Sequence, residues 1–168
     1  MAKQLRTETK ILSPEAASRL RNRARRMKEK VVFTNGCFDL LHAGHVAYLE
    51  AARRRGDLLI VGINSDSSVR RLKGAQRPIQ RQRHRARVLA ALEAVDAVVV
   101  FSGDTPRSII ERLKPDVLVK GADWPLAKIV GGTEVMQAGG RVVRIRLKRG
   151  QSTSAIIEKI ASSHGRAR

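Results

Sequence analysis

Two histidines three positions apart, His42 and His45, are the residues whose type and spacing point most directly to chemistry. They follow an apolar run and a glycine-containing turn at residues 34–38, and they precede a helical pattern that begins near Val46. This order places two imidazoles beside free backbone N–H groups at a helix N-terminus, where anions bind. Residues three apart share one face of a helical turn, so both rings can address one ligand. The pattern predicts a phosphate site at the carboxyl end of the first strand, where open α/β sheets bind ligands.

The individual residues of this motif also have simpler roles open to them. An isolated histidine is usually a surface residue or a hydrogen-bonded core residue, and two histidines are half of a zinc site. No Cys, His or Glu partner stands at ligand spacing nearby, which disfavours zinc. The single cysteine, Cys37, excludes an intrachain disulfide, fits a reducing cytoplasm and is expected to pack rather than react. Asp39 is either a site residue or a structural one that hydrogen-bonds within the turn.

A second anion-binding pattern lies near the end of the chain, at Gly150-Gln151-Ser152-Thr153-Ser154. A glycine followed by three hydroxyl residues at the start of a predicted helix combines free N–H groups with hydroxyl donors. Capping of the helix by Ser152 alone accounts for one hydroxyl and not for three. Because this pattern follows the last predicted strand, the first and last strands must lie near each other if both patterns serve one site.

The segment Asn35-Gly36-Cys37-Phe38-Asp39-Leu40-Leu41-His42-Ala43-Gly44-His45 resembles the His-x-Gly-His signature of the cytidylyltransferase-like nucleotidyltransferases. The resemblance runs over roughly residues 31–160. Within that superfamily the chain is most similar to the D-glycero-β-D-manno-heptose 1-phosphate adenylyltransferases, which make ADP-heptose for the lipopolysaccharide inner core. The motifs that carry this closer resemblance are Asn64-Ser65-Asp66-Ser67-Ser68-Val69, Leu72-Lys73-Gly74, Arg77-Pro78-Ile79, Val88-Leu89-Ala90-Ala91-Leu92, Val95-Asp96, Lys120-Gly121-Ala122-Asp123-Trp124 and Gly150-Gln151-Ser152-Thr153-Ser154-Ala155-Ile156-Ile157.

The resemblance implies two sets of site residues. The catalytic set is His42, His45 and Lys73, with Arg70 and Arg71 as alternatives to the lysine. The nucleotide-binding set is Thr34, Asn35, Gly36, Phe38, Arg85, Lys120, Gly121, Asp123, Gly150, Ser152, Thr153 and Ser154.

The roles within the nucleotide-binding set differ. The backbone of residues 34–38 would approach the phosphates, and Arg85 would contact the nucleotide unless it belongs to a solvated helix face. Lys120 and Asp123 would contact the ribose, the base or the sugar, and Trp124 is a lid or a loop anchor. The chain departs from its relatives at residues 79–84, where an Asn and an acid are common, and at residues 147–149, which are basic or apolar here.

The elements that must position these residues alternate between strands and helices. The runs at residues 57–63 and 98–100 are almost wholly apolar, which is typical of parallel strands buried on both faces. We therefore expect an α/β fold, a Rossmann-like doubly wound parallel sheet of about five strands and of nucleotidyltransferase type. One domain would span residues 1–168, with its core at about 31–160 and an N-terminal basic helix at about 14–29. No Gly-x-Gly-x-x-Gly follows the first strand, so the dinucleotide fingerprint is absent.

The charge of the chain raises a rival function from a different class. Lys and Arg number 34 against 15 Asp and Glu, a formal net charge of +19, which predicts attraction to polyanions. Three Phe, one Tyr and one Trp are too few for a base-stacking platform, and no RNA-recognition or zinc-finger consensus appears. We therefore expect no specific nucleic-acid partner. Without a secretory signal or an apolar run of about 20 residues, the sequence predicts a cytoplasmic protein with no membrane partner.

The implied reaction is adenylyl transfer from ATP to the heptose 1-phosphate, with release of pyrophosphate. A phosphate nucleophile is already ionised, so positioning and electrostatics suffice and no general base is needed. The triphosphate implies Mg²⁺, without a protein ligand that the sequence identifies. A separate sugar kinase would supply the acceptor, because 168 residues leave no room for one, and the resemblance implies a homo-oligomer. A glycerol-3-phosphate cytidylyltransferase is the alternative within the superfamily.

Overall fold

The computed structural model describes residues 7–146 and 153–164. Within these ranges six parallel strands form one open sheet in the order β1-β4-β3-β2-β5-β6. The strands are β1 (Ile11–Leu12), β2 (Val31–Gly36), β3 (Leu58–Asn64), β4 (Ala97–Phe101), β5 (Val117–Gly121) and β6 (Arg141–Ile145). The helices are α1 (Pro14–Arg26), α2 (Ala43–Arg53), α3 (Asp66–Lys73), α4 (Gln82–Ala90), α5 (Arg107–Leu113), α6 (Gly132–Gln137) and α7 (Thr153–His164), with short 3-10 helices at Glu8–Lys10 and Leu126–Lys128.

Two apolar layers cover the two faces of the sheet. Side chains alternate along each strand, so Val32 and Leu59 belong to the layer beneath α2 and α4, whereas Phe33 and Ile60 belong to the layer beneath α1, α5 and α6. Because both faces are covered, the central strands have no polar alternation. The prediction of a parallel α/β sheet from these continuous apolar runs is confirmed.

The sheet has one strand more than the sequence predicts. The additional strand, β1, is two residues long and pairs only Ile11 with Val98 and Leu12 with Val99. A two-residue strand has no periodicity to detect, which is why the pattern missed it. The structure also extends β2 to Gly36, so Asn35 and Gly36 are the last residues of a strand rather than part of a turn.

Three aspartates hydrogen-bond the amino ends of neighbouring strands together. Asp57, Asp96 and Asp116 each immediately precede a strand, β3, β4 and β5 respectively. The Asp57 carboxylate accepts the N–H of Lys30 at 2.7 Å, that of Asp96 accepts the N–H of Leu59 at 2.7 Å, and that of Asp116 accepts the N–H of Val31 at 2.8 Å. Each of these N–H groups lies at the start of the neighbouring strand. Each aspartate also donates its own backbone N–H to the carbonyl of the residue whose N–H its carboxylate accepts. These paired bonds fix the relative register of β2, β3, β4 and β5 at the amino ends of the strands.

The opposite, carboxyl edge of the sheet contains a reversal of strand order. After β2 the chain moves to β3 on one side, and later it crosses back to place β5 on the other side of β2. Loops leaving strands on either side of such a switch point diverge and leave a crevice between them. The histidine motif follows β2 directly and therefore lies at this crevice. Among the described residues, no helix has the length and apolar content needed to cross a bilayer.

Candidate active site

The two histidines stand together at the start of α2. His42 is the N-cap residue, and its carbonyl accepts the N–H of His45 at 2.9 Å. The imidazole rings stack with their centroids 3.8 Å apart and their planes at 24°. The Nδ1 atoms of both rings are buried and have no hydrogen-bond partner among the described residues. Buried polar atoms without partners are uncommon, and here they lie where a ligand would meet the helix N-terminus.

Both imidazoles are held in the neutral form. Burial, together with the charges of His42 and Lys73, lowers the pKa of His45 to about 4, and burial also lowers the pKa of His42. A neutral imidazole has one N–H to donate and one nitrogen that accepts. At neutral pH the pair can therefore donate to an anion, and an arriving anion would favour its protonation.

The loop that carries the histidines has an unusual backbone conformation. Phe38 lies in the left-handed region with φ of 46°, and its ring packs edge-on to His45 with the centroids 5.2 Å apart. A Cβ atom at Gly36 would lie 3.0 Å from that ring, so glycine leaves the ring room to approach the strand. Strain of this kind persists only where the surroundings hold it in place, and it is frequent at active sites.

Asp39 is the anchor of this loop. Its buried carboxylate accepts the backbone N–H groups of Ile79 and Gln80 at 3.0 and 2.9 Å, and it forms an ion pair with Arg77 at 2.8 Å. The contacts of Asp39 are structural, but their partners lie outside its own turn. The carboxylate joins the histidine loop to the segment between α3 and α4.

Arg85 is not part of a solvated helix face, the alternative that the sequence left open for it. The side chain lies on α4 and is fully buried. Its guanidinium donates to the carbonyl oxygens of Cys37, Asn64 and Gln80 at 2.6, 2.8 and 2.9 Å, and to Asp66 at 2.8 Å. Three backbone segments around the site are held together by this one cation.

Lys120, at the carboxyl end of β5, reaches across to β2. Its Nζ donates to the side-chain oxygen of Asn35 at 2.6 Å, so two predicted site residues are in direct contact. Burial lowers the pKa of Lys120 to about 8, against the opposing effect of the nearby Asp123 carboxylate. Burial raises the pKa of Tyr48 on α2, and the Asp123 carboxylate adds to this effect. Thr34 is fully buried within β2, and its side chain hydrogen-bonds the Tyr48 hydroxyl at 2.8 Å.

A cleft of about 530 Å³ opens at the carboxyl end of β2. Gly36, Lys73, Lys120 and Trp124 line it, together with residues of the loops that follow β4 and β5. Lys73 is exposed there, and its charge also acts on His45. The cleft and the histidine pair are thus neighbouring parts of one crevice.

The hydroxyl pattern near the end of the chain is described only in part. Gly150 and Ser152 lie outside the described residues. Thr153 begins α7, and its hydroxyl donates to the carbonyl of Leu40 at 3.2 Å, which brings the end of the chain to the histidine loop. Ser154 is exposed on the same helix, and Gly121 is the half-exposed last residue of β5.

Sequence reasoning missed the residues that support the site. Asp66 binds Arg85 and also accepts the first N–H of α4, from Gln82, at 2.7 Å. Gln82 in turn accepts the N–H of Asp66 at 2.9 Å. The sequence held part of the signal for Asp66, because this residue follows an apolar strand and begins a helix. The identity of its partners, however, depends on the fold. Lys128, in the loop after β5, lines the cleft and stands in no sequence motif that would single it out.

Comparison with known proteins identifies the group to which the fold and the site belong. A family model described as cytidylyltransferase-like matches residues 33–159, which includes the histidine pair and the crevice. The chain belongs to the cytidylyltransferase-like family. It is a nucleotidyltransferase, as the sequence predicted.

Curated relatives of this family member include the bifunctional protein HldE of Magnetococcus marinus, 58% identical over 134 residues that cover 80% of this chain and 28% of that protein. HldE of Syntrophotalea carbinolica is 52% identical over 156 residues, covering 93% of this chain and 32% of that protein. The chain therefore spans about a third or less of the length of these relatives.

Solved structures show the same architecture. The lipopolysaccharide core biosynthesis protein of Thermoplasma volcanium has a TM-score of 0.58 at 28% identity, covering 73% of this chain and 99% of that one. Pantoate-beta-alanine ligase of Francisella tularensis, solved with beta-gamma ATP and beta-alanine, has a TM-score of 0.60 at 14% identity, covering 83% of this chain and 67% of that one. The second likeness bears on the fold alone.

Proposed function

We propose that this nucleotidyltransferase transfers the adenylyl group of ATP to D-glycero-β-D-manno-heptose 1-phosphate. An oxygen of the sugar phosphate attacks the α-phosphorus of ATP and forms a new P–O bond. The bond from the α-phosphorus to the bridging oxygen breaks, and pyrophosphate leaves with that oxygen. The products are ADP-heptose and pyrophosphate. The similarity to HldE proteins and to a lipopolysaccharide core biosynthesis protein supports the choice of substrates.

The observation that carries the proposal is the stacked histidine pair at the start of α2, with two buried nitrogens that no described residue satisfies. Two neutral donors beside a helix N-terminus suit an anion that gains charge as it reacts. A phosphate acceptor needs no proton removed, which agrees with the Asp39 carboxylate of the histidine loop being occupied by Arg77 and two backbone N–H groups.

The remaining predicted residues take roles that fit their positions. Lys73 would neutralise charge at the reacting phosphorus, because its own charge already acts on His45. Asn35 and Gly36 end the central strand and would present backbone groups to the phosphates, and Thr153 would hold α7 against the histidine loop. Asp123 would accept a ribose hydroxyl.

Mg²⁺ would enter with ATP. The described residues contain no group of three His, Cys, Asp or Glu side chains arranged to hold a metal ion. Mg²⁺ keeps waters and uses few protein ligands at such sites, so it would be held mainly by phosphate oxygens and water. When bound, the ion would neutralise phosphate charge, while the protein residues position the two anions.

We also propose the cellular setting that the substrates require: a cytoplasmic enzyme, a sugar kinase that phosphorylates the heptose upstream, and a homo-oligomeric assembly. No specific nucleic-acid partner is included. CTP is the alternative donor within the family. A comparison of pyrophosphate release with ATP and with CTP distinguishes the two donors.

The test is pyrophosphate release with Mg²⁺ and the β-heptose 1-phosphate, with ATP or CTP as the donor. We expect release with ATP, and a loss of about 10²–10³-fold in kcat for His45→Ala, as for the removal of one oxyanion donor. His84→Ala is the matched control, because His84 is exposed on α4. Release with CTP alone would replace the adenylyl assignment, and equal rates for His45→Ala and wild type would remove the role of the histidine pair.

A further inference from the structure

A basic surface lies at the amino ends of the strands, at the opposite end of the sheet from the crevice. Four neighbouring strands, β3, β2, β5 and β6, begin there, and α1, α2 and α5 end there. Eight exposed cations belong to these segments, at residues 25–30, 54–57, 114–116 and 141: Arg25, Arg26, Lys28, Lys30, Arg54, Arg55, Lys114 and Arg141. We call them the amino-edge cluster. None of the eight forms an ion pair within the part of the chain that the structure describes.

Hydrogen bonds join these segments into one continuous surface. The carbonyl of Lys30 accepts the N–H of Asp57 at 2.8 Å, and the N–H of Arg141 donates to the carbonyl of Asp116 at 2.9 Å. The guanidinium of Arg141 also donates to the carbonyl of Arg55 at 3.3 Å. Neighbouring strands lie about 4.8 Å apart, so four strands spread the cluster over roughly 15 Å. The same segments contain only three acids against the eight cations: Glu29, Asp57 and Asp116.

Helix dipoles explain part of the amino-edge cluster and leave part of it unexplained. Cations are favourable in the last turn of a helix, which accounts for Arg25 and Arg26 on α1. Lys28 and Lys114, however, have left-handed backbone conformations, with φ of 59° and 44°. Such a conformation at the end of a helix usually belongs to glycine, because a β-carbon is unfavourable there. Backbone stability therefore does not explain why these two positions carry cations.

The composition of the cluster favours an anionic bilayer over a nucleic acid. Met27 lies between Arg26 and Lys28 and is 55% exposed, so an apolar side chain is accessible among the cations. At an anionic lipid surface, basic residues are attracted to the headgroups while apolar side chains enter the boundary with the acyl chains. The described segments of the cluster hold no aromatic residue on which a base could stack.

We propose that the amino-edge cluster is a peripheral binding surface for anionic phospholipid bilayers. Met27 enters the headgroup region, and the crevice faces the solution from the other end of strands that are roughly 20 Å long. The expectation of no membrane partner concerned a spanning segment, which a peripheral contact does not need. The inference is independent of the proposed function, because no residue of the cluster belongs to the candidate active site.

Flotation with lipid vesicles tests the proposal. The probe is a vesicle of phosphatidylcholine with about one third phosphatidylglycerol, at about 0.1 M salt, where charges interact over about 10 Å. We expect binding to these vesicles and none to pure phosphatidylcholine. Lys28→Gly combined with Lys114→Gly should lower the partition coefficient about tenfold or more, since each basic residue near an anionic surface contributes about fivefold.

This double variant separates loss of binding from loss of folding. Glycine relieves both left-handed conformations, so the variant should be at least as stable in urea as wild type. Arg81→Gln combined with Arg83→Gln is the matched control, because both arginines are exposed at the start of α4 and the loss of charge is the same. Its effect on vesicle binding should stay within about twofold, since these positions lie beyond the reach of a bilayer at the amino edge.

Three results would overturn the proposal. Equal losses in the two double variants would show attraction by net charge alone, and a lack of binding to the mixed vesicles would remove the bilayer as the partner. Met27→Gln should weaken vesicle binding and leave the binding of a duplex DNA probe unchanged. Tighter binding to DNA than to vesicles, with no effect of Met27→Gln on either, would assign the cluster to nucleic acid instead.

Discussion

Replacement of Arg85 by methionine is the most direct test of how the site is held. The guanidinium makes four hydrogen bonds of 2.6–2.9 Å from a fully buried position, three to backbone carbonyl oxygens and one to Asp66. Methionine fills much of the space but leaves those acceptors without a donor. Removal of one partner from a buried ion pair costs about 3–5 kcal/mol. The contacts are not additive, so we expect the free energy of unfolding to fall by about that amount rather than by four separate contributions.

The assay is urea unfolding followed by far-ultraviolet circular dichroism at 25 °C. Arg83→Met on the exposed face of α4 is the matched control, and its effect should stay within about 0.5 kcal/mol. Asp66→Asn keeps an oxygen acceptor for Arg85 and should cost less than Arg85→Met. A loss of under about 1 kcal/mol in Arg85→Met would refute the reasoning. Wild-type stability with a raised KM for ATP would instead restore the nucleotide-contact role expected from the sequence.

Three further substitutions test other parts of the structure. His45→Gln should make the free energy of unfolding less dependent on pH between about 6.5 and about 4, the ordinary and lowered values of the His45 pKa. Tyr48→Phe should cost about 1 kcal/mol, because it removes the buried 2.8 Å hydrogen bond to Thr34. Gly131→Ala should cost about 1–3 kcal/mol, because φ is 83° and the new Cβ would lie 2.7 Å from Ile110. All three are measured by urea unfolding, the first over a pH series.

The sign of the histidine effect follows from proton binding. As pH falls from about 6.5 to about 4, the unfolded chain takes up a proton at His45 that the folded chain refuses, so wild type loses stability over that window. Identical pH profiles for wild type and His45→Gln would contradict the lowered pKa. In a double-mutant cycle of Thr34→Val and Tyr48→Phe, the stability loss of the double variant should be smaller than the sum of the two single losses. Additive losses would argue against the hydrogen bond between the two side chains. Gly139→Ala is the control for Gly131→Ala, because φ is 82° and the space around the new Cβ is open. It measures the cost of backbone strain without the clash that occurs at Gly131.

The fold was readable from the sequence where local pattern decides it. The continuous apolar run at residues 57–63 and the basic helix predicted from about residue 14 carry their own signals, and the structure has β3 and α1 beginning at those places. β1 was missed because its two residues are a strand only through pairing with β4. The end of β2 was misplaced because Asn35 and Gly36 are residues typical of turns, and here pairing with β3 overrides that preference.

Residue type and motif order selected the candidate site residues, whereas their contacts depend on the fold. His42 and His45 were selected through a motif whose order of strand, loop and helix the structure reproduces, and Lys73 was selected through the family resemblance. The sequence did not reveal that Arg85 is buried, because it lies in a run of arginines that looks like a solvated helix face. Its burial depends on carbonyl groups and on Asp66, which are distant in sequence. Local pattern gives no information about which arginine of such a run finds buried partners.

The three aspartates that precede β3, β4 and β5 have a consequence for how this protein can change over evolutionary time. They lock strand register at the edge of the sheet remote from the crevice, with two hydrogen bonds per aspartate. A one-residue slip of a strand would exchange its inward and outward side chains, and these bonds oppose it. The segments at the crevice are instead joined by Asp39 and Arg85. Separate sets of side chains therefore hold the strand register and the site, so substitutions at the site can accumulate without loss of register.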